Sequence, residues 1–132
     1  MRLHYLVDTD WVIHWTNGNP GIVSRLAALR PDGVGLSIVS LEEMYEGVYY
    51  STNPAGNENI LRDFLRVVSV LDLDIEVCQR FGLERGRLRA SRNLIGDMDL
   101  LIGATALRHD LTLLTNNRRH FELIEGLRIE SQ

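Results

Sequence analysis

Short apolar runs without alternation are separated along this chain by longer stretches in which apolar positions recur every three or four residues. The first pattern predicts strands buried on both faces, the second amphipathic helices. Residues 4–7 read as a strand that ends at Asp8. A short helix is expected from about Trp11, and a second within residues 21–29, after Pro20. The Pro31-Asp32-Gly33 turn introduces a strand over residues 34–38. Ser40 is predicted to open a helix that runs to Tyr49, with Ser40 and Glu43 at the spacing of a capping box. Asn53-Pro54-Ala55-Gly56 breaks it, and residues 58–67 are helical. Residues 74–89 form a long helix with Val77, Phe81 and Leu88 inward and arginines outward. Asp97 is expected to cap a helix over 98–108. A strand over 112–114 leads into the polar run Thr115-Asn116-Asn117-Arg118-Arg119, and Gly126 precedes a last strand over 127–129. Apolar strands alternating with helices predict an α/β fold, a mainly parallel sheet with helices on both faces. Ligands of such sheets sit beyond the carboxyl ends of the strands.

Composition narrows the picture. The 132 residues carry 45% hydrophobic and 24% charged side chains, which fits one domain over residues 1–132 and excludes a disordered chain. No apolar run approaches the roughly 20 residues of a membrane span, and residues 3–8 turn acidic too soon for a secretory signal, so a cytoplasmic location is expected. One cysteine excludes an intrachain disulfide and a cysteine-based zinc cluster, and Cys78 within its helix reads as a small core residue. Net charge is −4, unlike a generic nucleic-acid-coating polycation. All 14 basic residues are arginine. Chemistry that needs lysine, such as a Walker loop or a Schiff base, is therefore excluded, whereas bidentate phosphate recognition remains.

Candidate chemistry lies in carboxylates at strand ends. Asp8 follows the first strand, Glu43 lies early in the helix after the second, and Asp99 is in the first turn of the helix after Asp97. Asn117 follows the strand over 112–114. Short right-handed crossovers bring these ends together. Carboxylates so placed repel unless one is protonated or a cation neutralises them, and a hard ion held by few carboxylates and several waters points to Mg²⁺ or Mn²⁺. Each residue also has a plainer reading: Glu43 as half of a capping box, Asp97 and Asp99 as helix-end charges, Asn116 and Asn117 as turn residues. Asp8 resists such a reading, because it has no helix to cap unless it serves the Asp10-Trp11 turn.

Four segments carry a family resemblance. Residues Leu6-Val7-Asp8-Thr9-Asp10, the stretch from Ser37 to Val48, Gly96-Asp97-Met98-Asp99 through Ala104, and Thr115-Asn116-Asn117-Arg118-Arg119-His120-Phe121 resemble the successive motifs of PIN-domain ribonucleases, in their VapC-type toxin branch. The resemblance covers nearly the whole chain. It implies a three-layer α/β/α PIN-like domain, a toxin of a toxin–antitoxin pair, and Mg²⁺- or Mn²⁺-dependent endoribonuclease cleavage of RNA by metal-activated water. It further implies a homodimer and neutralisation by a cognate VapB-like antitoxin. By motif match Asp8, Glu43 and Asp99 are the metal-binding acids, Asn117 completes the catalytic set, and Thr115 is an orienting threonine on the substrate side; Arg118 and Arg119, which follow beside the proposed metal site, are the expected RNA contacts. Asp10 stands where the family more often has Asn. Asp97 and Asp99, two apart on a helix, do not share a face, so Asp99 is the expected ligand and Asp97 the cap.

Other readings remain open at this point. Asp8-Thr9-Asp10-Trp11-Val12 also resembles the nucleophile motif of haloacid-dehalogenase-like phosphatases, with Ser37 and Asp97/Asp99 as later motifs. That family's basic residue is commonly lysine, and Glu43, Asn117 and His120 are left without a role. A receiver domain fails on the same missing lysine. A non-catalytic PIN-fold binding module is the third. Arg80, Arg85, Arg87, Arg89 and Arg92 read as RNA contacts or as a solvated face with pairs such as Glu76–Arg80. His120 reads as a general acid or, beside Phe121, as a packing or capping residue. Trp11, Trp15, Met44 and Tyr45 are candidate apolar contacts for the antitoxin.

Overall fold

The computed structural model describes residues 2–132. Strands β1 (Tyr5–Val7), β2 (Val34–Ser37), β3 (Ser69–Leu71), β4 (Thr112–Leu114) and β5 (Ile129–Glu130) form a five-stranded sheet in the order β3-β2-β1-β4-β5, with every pair parallel. Helices α1 (Thr9–Thr16), α2 (Pro20–Leu29), α3 (Ile38–Tyr49), α4 (Pro54–Leu65), α5 (Ile75–Ala90), α6 (Asp97–Arg108) and the one-turn α7 (Arg118–Phe121) cover it.

Period-two alternation sends successive strand residues to opposite faces. Leu6 and Leu113 pack with Leu88 of α5, Leu100 and Ile102 of α6, and Phe121. Val7, Leu36 and Leu114 pack on the other face with Trp11 and Val12 of α1, Ile22 and Leu26 of α2, and Phe64 of α4. The sheet is thus the middle of three layers, as expected. Gly33 turns the chain into β2 at φ 89°, and a Cβ there would meet the Arg2 carbonyl at 2.7 Å, so only glycine fits that entry.

Several local expectations are corrected. Helix α1 begins at Thr9, and Asp8 is its N-cap, accepting the Thr9 N–H at 2.8 Å; the acid does have a helix of its own. Helix α3 begins at Ile38 with Ser37 as cap, which places Ser40 and Glu43 inside the helix and dissolves the capping box. Asn53-Pro54 starts α4 instead of ending α3, since proline suits a first helical position. Strand β3 was not expected at all, and β5 lies two residues later than the predicted start. Gly96, not Asp97, is the N-cap of α6. Cys78 is exposed. Glu76 faces Arg108 at 3.8 Å rather than Arg80.

Candidate active site

The register sets the site. Val7 lies level with Leu36 on one side and Leu114 on the other, so the next residues, Asp8, Ser37 and Thr115, stand side by side at the carboxyl end of the sheet. Asp8 is 4% exposed. Its Oδ1 accepts from the Thr9 backbone and its Oδ2 from the Thr115 hydroxyl at 2.7 Å. The Thr115 oxygen in turn accepts the Asn117 N–H at 3.0 Å. Burial pushes the Asp8 carboxyl up to about 7; the nearby charges of Asp10 and Asp99 push the same way, and the Thr115 and Thr9 hydrogen bonds oppose them.

Glu43 joins through Thr9. The Thr9 hydroxyl lies 3.0 Å from Glu43 Oε1 and 2.9 Å from Ser40 Oγ. It has one proton and a carboxylate only accepts, so the proton goes to Glu43 and the buried Ser40 donates back to Thr9. Burial raises the Glu43 carboxyl, and Asp99, Glu42 and Glu46 add to the rise. The three-residue spacing of Ser40 and Glu43 is therefore a shared helix face turned toward Thr9.

Asp99, in the first turn of α6, has its Oδ2 3.2 Å from His120 Nδ1, which is also 3.2 Å from Asn117 Nδ2. Asp10 accepts the Asn116 backbone N–H at 2.9 Å, and Asn116 Oδ1 accepts the buried Trp11 indole N–H at 3.0 Å. Asp8, Glu43, Asp99, Asn117 and Thr115 thus form one neighbourhood. Thr115 is fully buried, so its hydroxyl serves Asp8 and does not face a substrate. Arg118 is engaged by Glu122 and Ser131, whereas Arg119 is exposed and has no ion pair among the described residues. Trp11 is fully buried and cannot be a partner contact; Trp15 packs edge-on against Phe64. Thr9, Ser40, Asn116 and His120 are the site residues that sequence reasoning did not select.

The donor chemistry suits a hard divalent ion. Among the described residues Asp8 and Glu43 meet no arginine; burial raises both carboxyls, and the charge of Asp99 adds a smaller push to each. Among the described residues no three His, Cys, Asp or Glu side chains enclose an ion by themselves. All of the converging acids offer oxygen donors, the type that magnesium-like ions take, one or two directly and the rest through their waters.

Away from the site, two of the four arginines of α5, Arg85 and Arg87, are committed within the fold. Arg85 donates to the Ile95 carbonyl and pairs with Asp97, and Arg87 pairs with Glu84 and donates to the Leu123 carbonyl. The phosphatase reading fails here too, because the Ser37 hydroxyl is buried and caps α3 through Val39 N–H at 3.1 Å.

The PIN domain family model matches residues 5–127. The chain is 32% identical over 130 residues to ribonuclease VapC2 of Haemophilus influenzae, covering 98% of each. It is 30% identical over 128 residues to the tRNA(fMet)-specific endonuclease VapC of Shigella flexneri, covering 97% of each. Its fold matches VapBC2 from Rickettsia felis, bound to a DNA fragment from their promoter, with TM-score 0.94 at 27% identity, over 98% of this chain and 99% of that one.

Proposed function

The chain belongs to the PIN-domain family, and from that premise we propose that it is a metal-dependent endoribonuclease, the VapC-like toxin of a toxin–antitoxin pair. The observation that carries this reading is the gathering of Asp8, Glu43 and Asp99 at the carboxyl end of a parallel sheet without an arginine among them. The ribonuclease and endonuclease names of its VapC relatives, and the VapBC2 assembly whose fold it shares, support it.

Asp8, Asp99 and Glu43 are the residues that would hold Mg²⁺ or Mn²⁺ in this reading, directly or through the ion's waters. When bound, such an ion acidifies a water and offsets phosphodiester charge. The chain's own residues do the arranging. Thr9 N–H and the Thr115 hydroxyl each occupy one lone pair of Asp8 and leave one free on each oxygen, and Thr9 aims Glu43. Asn117 completes the loop that presents Thr115. Arg119 offers the free guanidinium for a backbone phosphate beside these acids, while Arg118 steadies α7. RNA is the substrate, cut where single strands or loops expose its backbone.

A VapB-like antitoxin is the proposed partner, and the toxin itself a homodimer. A cavity of about 340 Å³ opens beside Glu43 between α1, α3 and α4, with Ile13, Met44, Ile60 and Leu61 against Glu43 and Glu46. Its acids and apolar floor suit a basic, partly aliphatic segment. Large apolar side chains left exposed on and beside α5, Ile75, Leu83 and Leu94, suit a second copy. Among the described residues no helix is long and apolar enough to cross a membrane, and the proposed location is the cytoplasm, with the RNA.

The test is cleavage of labelled RNA by protein freed of antitoxin. Cutting that needs Mg²⁺ or Mn²⁺ and is lost with a chelator and in Asp99→Asn supports the reading. Cutting that survives both, or silence on RNA with a protein partner retained, overturns it.

A further inference from the structure

The pairing of β4 with β5 changes character beside the site. The Leu113 N–H donates to the Arg128 carbonyl at 2.8 Å, and the Thr115 N–H to the Glu130 carbonyl at 3.0 Å. Continued in step, this parallel ladder would next take the Gln132 N–H to the Thr115 carbonyl and the Asn117 N–H to the Gln132 carbonyl. The side chain of Asn116 replaces both bonds. Its Oδ1 accepts the Gln132 N–H at 2.9 Å, and its Nδ2 donates to the Gln132 carbonyl at 3.0 Å. The same Oδ1 accepts from the Trp11 indole, the only donor of a fully buried ring.

This replacement frees two main-chain groups for other work. The Asn117 N–H turns to the Thr115 hydroxyl oxygen at 3.0 Å, and the Thr115 carbonyl takes the Ser131 hydroxyl at 2.6 Å. With an N–H seated on its oxygen, the Thr115 hydroxyl directs its one proton to Asp8 at 2.7 Å, nearer than either oxygen of Asp10 at 3.4 and 3.5 Å. The Asn116 N–H itself donates to Asp10. Without the Asn116 amide, the regular ladder bonds compete for the same groups and draw the Asn117 N–H away from Thr115.

We propose that Asn116 is a positioning residue for RNA cleavage: its amide takes over two ladder bonds so that the main chain can leave the sheet and hold Thr115 against Asp8. The inference rests on the ribonuclease reading above. Asn116 acts through Thr115.

Two variants of the full chain test this, Asn116→Ala and Gln132→Pro. The second removes one N–H donor to the Asn116 amide and leaves the Trp11 bond in place, so it loosens the anchor without orphaning the indole. On labelled RNA with Mg²⁺, kcat is expected to fall about tenfold in Asn116→Ala and about threefold in Gln132→Pro, with KM held within about twofold. NMR relaxation dispersion at the amides of residues 115–117, absent in wild type, appears in both variants, because the turn now exchanges between two pairings. Thermal melts fall in Asn116→Ala and stay at the wild-type value in Gln132→Pro. If kcat stays within about twofold of wild type in both variants at matched folded fraction, the proposal is overturned and the ribonuclease reading stands. If only Asn116→Ala loses activity, and the turn of Gln132→Pro stays rigid, the loss belongs to the orphaned Trp11 and the proposal is again overturned. If wild type leaves RNA intact, the ribonuclease reading fails and the proposal with it.

Discussion

Two acids are buried to nearly the same depth, and their surroundings differ completely. Glu84 of α5, 7% exposed, receives two hydrogen bonds from Arg87, at 3.0 and 2.8 Å. Asp8 at the sheet end, 4% exposed, receives one from a hydroxyl and one from a backbone amide, and faces Asp10 and Asp99. The contrast extends outward. Asp74 and Asp97 have arginine partners, Arg108 and Arg85; Asp10 and Glu43 have none among the described residues, and Asp99 has only His120. An acid neutralised inside the chain holds elements together. One left among like charges keeps its attraction for something from outside.

The largest effect separates the two groups by activity. Asp8→Asn and Asp99→Asn each lower RNA cleavage about a hundredfold or more, the scale of losing one preorganised electrostatic group. Glu84→Gln stays within about twofold of wild type at matched folded fraction. Equal losses in both groups, measured on labelled RNA, erase the distinction.

Stability shows the opposite ranking. The Asp8 carboxyl titrates at about 7 in the fold, against 3.8 for an unperturbed aspartate. Between those values the folded state holds a proton that the unfolded state has released, so metal-free stability falls as pH rises through that window and levels off above it. The span is at most about 4 kcal/mol. Urea midpoints at pH 4.5 and 8, with chelator present, read it, and Asp8→Asn abolishes Asp8's share of the slope. A midpoint that rises with pH in wild type contradicts the assignment.

Glu84→Ala is the next effect down. It leaves Arg87, whose side chain is about one-third exposed, with the Leu123 carbonyl and Glu125 as partners, and loses about 1–2 kcal/mol in urea unfolding, less than a wholly buried pair would. The smallest effect distinguishes neighbouring arginines. Arg119→Gln weakens RNA binding and lowers its salt slope by about one, while Arg118→Gln, already paired with Glu122, changes the slope less.

Sequence legibility follows the same divide. The ends of β1 and β4 were readable within a residue because their apolar runs are buried on both faces, which placed Asp8 and Asn117 correctly. Asp99 was readable from the helix that Gly96-Asp97 announces. Strand β3 was not: Ser69 and Val70 are exposed at the sheet edge, so no continuous buried run marks them. The Ser40–Glu43 spacing was visible, but local sequence cannot tell a capping box from a helix face aimed at Thr9. That distinction depends on where β2 ends, at Ser37 rather than Ile38. His120 and Asn116 were illegible for another reason. Their partners, Asp99, Trp11 and Gln132, are distant in the chain or lie on another element, and only the fold brings them within reach.

The thermal midpoint of chelator-treated protein at pH 8, followed as Mg²⁺ is added, probes the unneutralised acids most directly. Binding to the folded state alone raises the midpoint of wild type with ion concentration, and Asp8→Asn starts higher and stays flat. A wild-type midpoint indifferent to Mg²⁺, or an equal rise in Asp8→Asn, contradicts the claim that these carboxylates are kept apart for a cation.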